Sequence, residues 1–209
     1  MPAISPMSRG LFLWGGSAAI LVTAAFDRHV FVSLRTGGYV MYFRHGPTDF
    51  SQIDATTDYA DFSKQRNLTD AGRALELQIG EAIRKLAIPI GAVFADPFCR
   101  TRETAKLLFG RYSVDRQLMP GASDLSKNLR RALARVPTGP VNTAFVLHHN
   151  ELVAIDGPSL AEGETAVIKP DGSGFQLIAQ IKPDDWLAAP GAAVSRGDEN
   201  EAARTRSNS

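Results

Sequence analysis

Basic residues that suit the binding and transfer of a phosphoryl group follow three separate apolar stretches of this chain. Arg44 and His45 come after the first stretch, Arg100 follows the second, and His148 follows the third. Arginine binds phosphate oxygens through paired, charge-assisted hydrogen bonds. If these four side chains converge, they form a phosphate pocket.

The apolar stretches that precede these residues are predicted to be strands of one parallel sheet. They cover residues 39–43, 90–95 and 143–147, and each is nearly continuous in apolar residues. Such runs are typical of strands that are buried on both faces. Ligands of open α/β sheets bind at the carboxyl ends of the strands, so the basic residues would meet at one edge. Gly46, next after His45, is expected to let the backbone turn away tightly.

Three helices are predicted between and beside these strands. Thr69 is a good N-cap for a helix that Pro89 ends. A second helix is expected to begin with Pro97 in its first turn and to end at Gly110. A third is expected over residues 124–136, where leucines recur on one face.

The other segments complete a three-layer α/β/α fold with a mostly parallel central sheet and an edge hairpin. Residues 27–36 are expected to form a short helix, and residues 112–118 a further strand. Residues 164–169 and 174–182 alternate around a Pro-Asp-Gly-Ser turn, which predicts the hairpin at the sheet edge. The polar residues 47–67 form a long loop, and loops of that length are often functional.

The chain divides into three parts: residues 1–26, residues 27–186 and residues 187–209. The first part holds a short apolar run behind a weakly positive start and ends on small residues, which is typical of a signal peptide. The run is short for a membrane span, which needs roughly 20 apolar residues; an uncleaved N-terminal membrane anchor and a buried helix are the alternatives. Export would make the protein periplasmic or extracellular, and sequencing the N-terminus of the exported form would test this. The last part is predicted to be disordered.

Composition excludes several classes of function. The 209 residues, 44% of them hydrophobic and 22% charged, fit one domain with a sizeable core. A net charge of +1 and the lack of a basic run with interleaved aromatics argue against a nucleic-acid partner. The single cysteine, Cys99, rules out an intramolecular disulfide and a cysteine-rich zinc site. A cysteine-nucleophile phosphatase needs an arginine six positions later, and residue 105 is alanine.

Taken in order, these residues resemble the histidine phosphatase superfamily, which includes cofactor-dependent phosphoglycerate mutases and acid phosphatases. The resemblance runs from about residue 37 to residue 186. Its marks are Arg44-His45-Gly46, Leu68-Thr69-Asp70-Ala71-Gly72, Pro97 with Arg100 and Thr104-Ala105, and His148 after an apolar strand. Residues 34–39, 163–164 and 170–172 are similar to small exported bacterial members.

The resemblance implies phosphoryl transfer in two steps. His45 would attack phosphorus and carry the group as phosphohistidine, which water would then hydrolyse. Arg44, Arg100 and His148 would bind the equatorial oxygens and stabilise the charge of the transition state. Thr48 is near enough in sequence to face the same ligand. The expected partner is a small phosphorylated substrate, and no cofactor or metal is expected.

The acid that protonates the leaving oxygen has no clear motif in this sequence. Asp124 is the candidate, because the family's acid often comes from the segment between its second arginine and its second histidine; Glu151 and Asp49 are rivals. The family often has glycine after the second histidine, where this chain has His149. His148 is assigned to the site because it directly follows the strand, and His149 should then point elsewhere.

Three hypotheses for the function remain open. An exported phosphomonoesterase is favoured, because the short segment between Arg100 and His148 leaves no room for a large cap, and a mutase must exclude water. A phosphohistidine-protein phosphatase is the second, although its substrates are cytosolic and the export signal argues against it. The missing acid suggests the third, a non-catalytic phosphate-binding module. An assay with a chromogenic phosphomonoester separates the first from the third.

Overall fold

Residues 29–55 and 58–189, which the computed structural model describes, fold around a six-stranded sheet. The strands are β1 (Val40–Arg44), β2 (Ile90–Ala95), β3 (Ser113–Val114), β4 (Asn142–Leu147), β5 (Thr165–Pro170) and β6 (Phe175–Ile181). They lie in the order β3-β2-β4-β1-β5-β6, with parallel pairing from β3 to β1. β5 and β6 pair antiparallel and form the hairpin at one edge. The predicted mostly parallel sheet with an edge hairpin is confirmed.

Helices cover both faces of this sheet. They are α1 (His29–Arg35), α2 (Asp70–Lys85), α3 (Cys99–Phe109), α4 (Leu125–Ala134), α5 (His149–Val153) and α6 (Pro183–Leu187), with single 3₁₀ turns at Phe62–Lys64 and Arg116–Leu118. α1, α2, α3 and α6 share a core with one face, and α4 and α5 share a second core with the other. The predicted three-layer α/β/α fold is confirmed, since a sheet with two apolar faces needs a cover on each.

β1 lies in the middle of the sheet and is buried on both faces. Val40 and Tyr42 pack on the side of α4, while Met41 and Phe43 pack on the opposite side, and none of the four is more than 1% exposed. Successive side chains of a strand point to opposite faces. The continuous apolar run of the sequence therefore fits a strand with a core on each side.

Two predicted helix ends are confirmed. Thr69 caps α2, because its hydroxyl accepts the Gly72 N–H at 2.9 Å. Gly110 ends α3 with a left-handed φ of 72°, a conformation that glycine adopts without strain.

β2 differs from the prediction of a strand that is buried throughout. Val93 and Ala95 are buried near its carboxyl end, but Ala92 is exposed. A cavity of about 810 Å³ opens beside Ala92, between β2, β4 and α4. No helix therefore closes over this half of the strand within the described residues, and none of the predicted site residues lines the cavity.

The start of α3 and the length of β3 also differ from the predictions. Pro97 lies before the N-cap Phe98 instead of in the first helical turn. Asp96 accepts the Phe98 N–H at 2.9 Å and forms a turn that delays the helix by two residues. β3 has only two residues, because Asp115 caps a 3₁₀ turn directly after it.

Two predicted terminal segments lie wholly or mostly outside the described residues. The signal peptide or anchor predicted at residues 1–26 is one, and the tail from residue 190 is the other. Leu187 is the last residue of α6 and Ala189 is buried, so the tail begins after them and not at residue 187. Within residues 29–55 and 58–189, no helix has the length and apolar character to cross a membrane.

Candidate active site

The carboxyl ends of the neighbouring strands β1 and β4 bring His45 and His148 together. Their ring centroids are 5.0 Å apart and their planes meet at 71°. The His45 N–H donates to the carbonyl of Leu147 at 3.1 Å, and its carbonyl accepts the Gly163 N–H at 3.0 Å. Both imidazoles are buried, with 1% and 6% exposure. The backbone of His45 is thus fixed from two sides.

The surroundings of His45 fix its tautomer and its charge. Nδ1 lies 2.9 Å from the carbonyl oxygen of Gly46, which can only accept, so Nδ1 carries the proton and Nε2 keeps its lone pair. Burial lowers the pKa of His45 well below its ordinary value, and the charges of His148, Arg100 and Arg44 lower it further against the Gly46 hydrogen bond. His45 is therefore a neutral imidazole whose Nε2 can act as a nucleophile.

Gly46 is required for close packing and not for a turn, which corrects the sequence-based explanation. Its φ is not in the left-handed region. A Cβ at this position would lie 2.7 Å from Oε1 of Glu76, which no side chain could tolerate without a shift. Its N–H donates to Oγ1 of Thr104 at 3.0 Å. The residue after His45 is thus held between α2 and α3.

Arg44 is oriented by groups that come from the loop before β5. Its Nη1 donates to the carbonyl of Leu160 at 2.7 Å, and its Nη2 lies 3.8 Å from Oε1 of Glu162. Glu162 also accepts the Thr48 hydroxyl at 2.6 Å and the Thr48 N–H at 3.1 Å. Thr48, which is predicted to bind substrate, therefore lies beside Arg44 at the site. Its hydroxyl already donates its proton to Glu162.

Arg100 is buried, with 4% exposure, at the start of α3. Its Nη1 donates to Oδ1 of Asp54 at 2.9 Å, and its guanidinium carbon lies 4.4 Å from the centre of the Phe98 ring. The same ring meets His148 edge-on at 5.1 Å, so Arg100 and His148 share one wall. Arg102 turns away and donates to the carbonyl of Tyr59.

His148 lies beside two buried carboxyl groups. Its Nδ1 is 2.8 Å from Oδ2 of Asp96 and 3.3 Å from Oε1 of Glu151. Burial lowers the pKa of His148, but the two carboxyl groups outweigh burial and raise it above its ordinary value. The hydroxyl of Tyr42 donates to the backbone carbonyl of His148 at 2.5 Å. The two carboxyl groups thus favour the cationic form of His148.

Comparison with solved structures identifies the fold. No protein-family model and no curated protein matches the sequence. The protein histidine phosphatase SixA complexed with tungstate gives a TM-score of 0.53 at 20% identity, over 70% of this chain and 98% of that one. A candidate phosphohistidine phosphatase SixA from Agrobacterium tumefaciens gives a TM-score of 0.50 at 17% identity, over 70% of this chain and 99% of that one. This chain has the SixA fold. At these identities the likeness establishes the fold alone, and this is the fold that the resemblance to the histidine phosphatase superfamily implies.

Each of the three cationic side chains that act on His45 has a buried donor without a hydrogen-bond partner among the described residues. These donors are Nε of Arg44, Nε of Arg100 and Nε2 of His148. An unsatisfied buried donor costs about 1–3 kcal/mol, and more when it is charged. The charges of all three residues act on His45. These charges favour the approach of an oxyanion to the neutral ring of His45.

The structure distinguishes the three acid candidates. Asp124 is exposed at the N-cap of α4, where its side chain makes no cap hydrogen bond, and its role stays a prediction. Asp49 accepts hydrogen bonds from the hydroxyl and the N–H of Ser51, which lower the pKa of its carboxyl and keep it ionised. Glu151 is buried beside His148. Of the three, Glu151 is the candidate that contacts a predicted site residue.

Asp96, His148 and Glu151 also offer three metal-ligand atoms within 4.8 Å of one another. Ligand atoms around a tetrahedral ion at about 2.1 Å stand roughly 3.4 Å apart. The 2.8 Å between Nδ1 of His148 and Oδ2 of Asp96 is shorter than that and is the distance of a close ion pair. We therefore interpret this cluster as an acid–base group.

Four acidic residues of the site were not predicted from the sequence: Asp54, Asp96, Glu162 and Glu76. Asp96 stands one residue before the Pro97 of the family motif, and its position at the end of β2 was a usable signal. Asp54 and Glu162 lie in loops without a motif. Glu76 occupies a buried position of α2, where the helical pattern predicts an apolar residue.

Glu76 is a buried carboxylic acid that packs against Gly46, the residue after His45. It is 1% exposed, and its Oε1 has no hydrogen-bond partner in the described part of the chain. Burial raises the pKa of Glu76 to about 8. The folded protein therefore holds this proton more tightly than the unfolded chain does, and Glu76 is neutral at pH 7.

The raised pKa of Glu76 predicts a loss of stability with rising pH that a Glu76→Gln variant escapes. The stabilising contribution of the Glu76 proton is complete below the unfolded pKa near 4.5. It is lost as the pH rises to the folded pKa of about 8. The loss is on the order of 4 kcal/mol, or roughly 10 °C in Tm. We expect Glu76→Gln to show a smaller fall in Tm between pH 5 and pH 8 than the wild type, measured by thermal unfolding. The matched control is Glu81→Gln on the exposed side of the same helix; parallel curves for all three proteins would contradict the prediction.

Proposed function

We propose that this protein is a phosphatase that hydrolyses phosphomonoesters through a phosphohistidine intermediate on His45. The observation that carries the proposal is the convergence of three buried, unsatisfied cationic donors on a neutral imidazole. A dianionic phosphoryl group matches this set of donors in charge and in number of oxygens. The nucleophile and the electrostatic stabilisers of a phosphoryl transfer are then both in place.

In the proposed reaction His45 attacks first and water attacks second. Nε2 of His45 forms a bond to phosphorus while the ester P–O bond breaks, and the phosphoryl group stays on the imidazole. Water then attacks phosphorus, the P–N bond breaks, and phosphate leaves. Arg44, Arg100 and His148 stabilise the charge that spreads over the equatorial oxygens in both steps.

The comparison structures support the phosphoryl chemistry. One of them is a SixA protein histidine phosphatase complexed with tungstate. Tungstate is a tetrahedral oxyanion like phosphate, so a protein of this fold binds an anion of the required shape.

An assay with p-nitrophenyl phosphate and the purified full chain tests the proposal. We expect phosphate release and, on rapid quenching, phosphate bound covalently to the protein in an acid-labile form, as a P–N bond requires. A protein that binds phosphate but releases none from this activated ester would be a binding module, and the proposal would fail.

A phosphohistidine-protein phosphatase is the second candidate, because the solved structures with this fold include SixA phosphohistidine phosphatases. Its substrate would carry the phosphoryl group on a nitrogen, and an imidazole leaving group needs less acid assistance than an alkoxide. Comparing kcat/KM for a phosphohistidine peptide with kcat/KM for small phosphomonoesters separates the two candidates. A clear preference for the peptide would favour the second.

Asp54 competes with the substrate for Arg100, which gives a prediction for phosphate binding. Burial raises the pKa of Asp54, but the N–H of Arg66 and the guanidinium of Arg100 outweigh burial and lower it, so its carboxylate pairs with Arg100 at 2.9 Å. Because this pair is partly exposed, it is worth about 1 kcal/mol. We expect Asp54→Asn to bind inorganic phosphate, measured as a competitive inhibitor, roughly 5-fold more tightly.

The matched control for this prediction is Asp58→Asn, which removes an exposed carboxylate from the same loop. Its inhibition constant should equal that of the wild type. Weaker phosphate binding in Asp54→Asn would mean that Asp54 helps to form the pocket and does not compete for it.

A further inference from the structure

His148 has two acidic neighbours, although one carboxylate is enough to orient a histidine. Asp96 and Glu151 lie 2.8 Å and 3.3 Å from its Nδ1, and their side chains are 0% and 1% exposed. Neither contact has the alignment of a hydrogen bond. Both groups therefore act on the ring through their charge.

The two acidic neighbours are held in different ways. Oδ1 of Asp96 accepts the Phe98 N–H at 2.9 Å and lies 2.6 Å from the hydroxyl oxygen of Thr101, so Asp96 also supports the start of α3. Neither oxygen of Glu151 has a hydrogen-bond partner within residues 29–55 and 58–189. A buried carboxyl group without hydrogen bonds is unfavourable for the fold. Its one evident contribution is its effect on His148.

The other nitrogen of His148 is available to a ligand. Nε2 is buried and has no hydrogen-bond partner in the described part of the chain. The ring stands edge to face against the ring of His45, with the centroids 5.0 Å apart. A phosphoryl group attached to His45 would lie next to this nitrogen, together with the oxygen that leaves or the water that attacks.

We propose that Asp96 and Glu151 make His148 the general acid and base of the reaction. The inference rests on the proposed phosphatase function. In the first step the ester P–O bond breaks as His45 bonds to phosphorus, and the Nε2 proton of His148 passes to the departing oxygen. In the second step water attacks phosphorus, the P–N bond breaks, and a water proton passes to Nε2 of His148. After both steps the ring of His148 carries the same protons as at the start. Asp96 and Glu151 do not contact the substrate and act as positioning residues.

The groups around the ring agree with this role. The titratable and charged groups that face it are Asp96, Glu151, Tyr42 and His45, with Arg100 behind the Phe98 ring. Burial lowers the pKa of His148, and the two carboxyl groups outweigh it. The two carboxyl groups therefore favour the cation that donates the proton, and this cation is lost as the pH rises through the raised pKa.

A leaving-group series with Glu151→Gln tests the inference, with the full chain as the protein. The substitution keeps the shape of the side chain and removes its charge, and it breaks no hydrogen bond of the described residues. General acid catalysis typically contributes 10²–10⁴-fold. We expect kcat/KM to fall roughly 100-fold for an alkyl phosphate, whose leaving group needs a proton, and less than about threefold for p-nitrophenyl phosphate. Glu81→Gln, on the exposed face of α2, should change neither value.

The possible results separate this inference from the proposed function. An equal loss on both esters, or no loss on either, would overturn the role of His148 as the acid while the phosphatase function stands. A wild type that hydrolyses neither ester would overturn both. The wild type alone gives a further check: alkyl phosphate turnover should fall with the same pH dependence as the His148 imidazole signal in NMR. Turnover that does not follow that signal would also overturn the inference.

Discussion

Replacement of His45 by alanine is expected to abolish phosphate release, with kcat lower by on the order of 10⁶-fold. Losses of this size follow removal of the nucleophile from a covalent hydrolase. His45 is the neutral imidazole of the site, with its proton on Nδ1 and its lone pair on Nε2. The neighbouring His148 is the poorer nucleophile of the two, because Asp96 and Glu151 favour its protonated form. The measurement is phosphate release from p-nitrophenyl phosphate together with covalent phosphate on the quenched protein.

His149→Ala is the matched control for the loss of His45. His149 follows His148 directly, but its Nδ1 is 3.4 Å from the hydroxyl of Ser159. Arg44, Glu151 and His148 act on it through their charge, and no hydrogen bond or ion pair of the described residues joins it to them. We expect near wild-type turnover and normal labelling of His45 in this variant. Full turnover in His45→Ala would rule out covalent catalysis by this residue, and labelling that persists in it would place the intermediate elsewhere.

The part of the site that lies on the strands could be predicted from the sequence. The apolar run of β1 changes to Arg44 and His45 within one residue, and β4 ends in the same way at His148. Parallel strands end at the same edge of a sheet, so the residues that follow β1 and β4 are expected to lie close together there. The strict alternation of side chains along a strand then predicts which of them face the site. The α/β/α layers follow from the same apolar strands, because a sheet with two apolar faces needs helices on both of them.

The acidic partners of these cations could not be predicted, because their positions depend on loops that close over long sequence separations. Asp54 reaches Arg100 across 46 residues, and Glu162 reaches Thr48 across 114. No local propensity encodes such contacts, and loop geometry depends on the whole packed structure. Glu76 was missed for a different reason: its helix predicts an apolar residue there, and only the tertiary structure shows a carboxyl group against Gly46.

Each cation of the site has an acidic neighbour, and this pattern explains how the buried charges are tolerated. Arg44 lies near Glu162, Arg100 pairs with Asp54, and His148 lies near Asp96. Buried charges without partners would be far too costly. The pairs still leave one donor nitrogen of each cation free of protein acceptors among the described residues. The acidic neighbours thus offset the charge of the cations and still leave hydrogen-bonding capacity among the described residues.

Arg100→Ala is expected to lower kcat by about 10²–10³-fold, the usual effect of losing one donor that stabilises a developing oxyanion. Arg100 is buried against Phe98, and its Nε has no hydrogen-bond partner among the described residues. Arg100→Lys should recover only part of the loss, because an ammonium cannot form the paired hydrogen bonds of a guanidinium. Arg102→Ala, in the same turn of α3 but directed to Tyr59, is the control and should keep its turnover.

The Arg100→Ala loss has two physical components, which a double variant separates. Removing the guanidinium takes away a donor to the phosphoryl oxygens, and it also leaves the Asp54 carboxylate unpaired beside a substrate of the same charge. In Arg100→Ala/Asp54→Asn the repulsion is gone, so KM should improve by roughly 5-fold over Arg100→Ala. The deficit in kcat should remain, because the missing hydrogen bonds act in the transition state. If the double variant regained wild-type kcat, Arg100 would serve only to neutralise Asp54, and the phosphoryl group would have to be held by Arg44 and His148 alone.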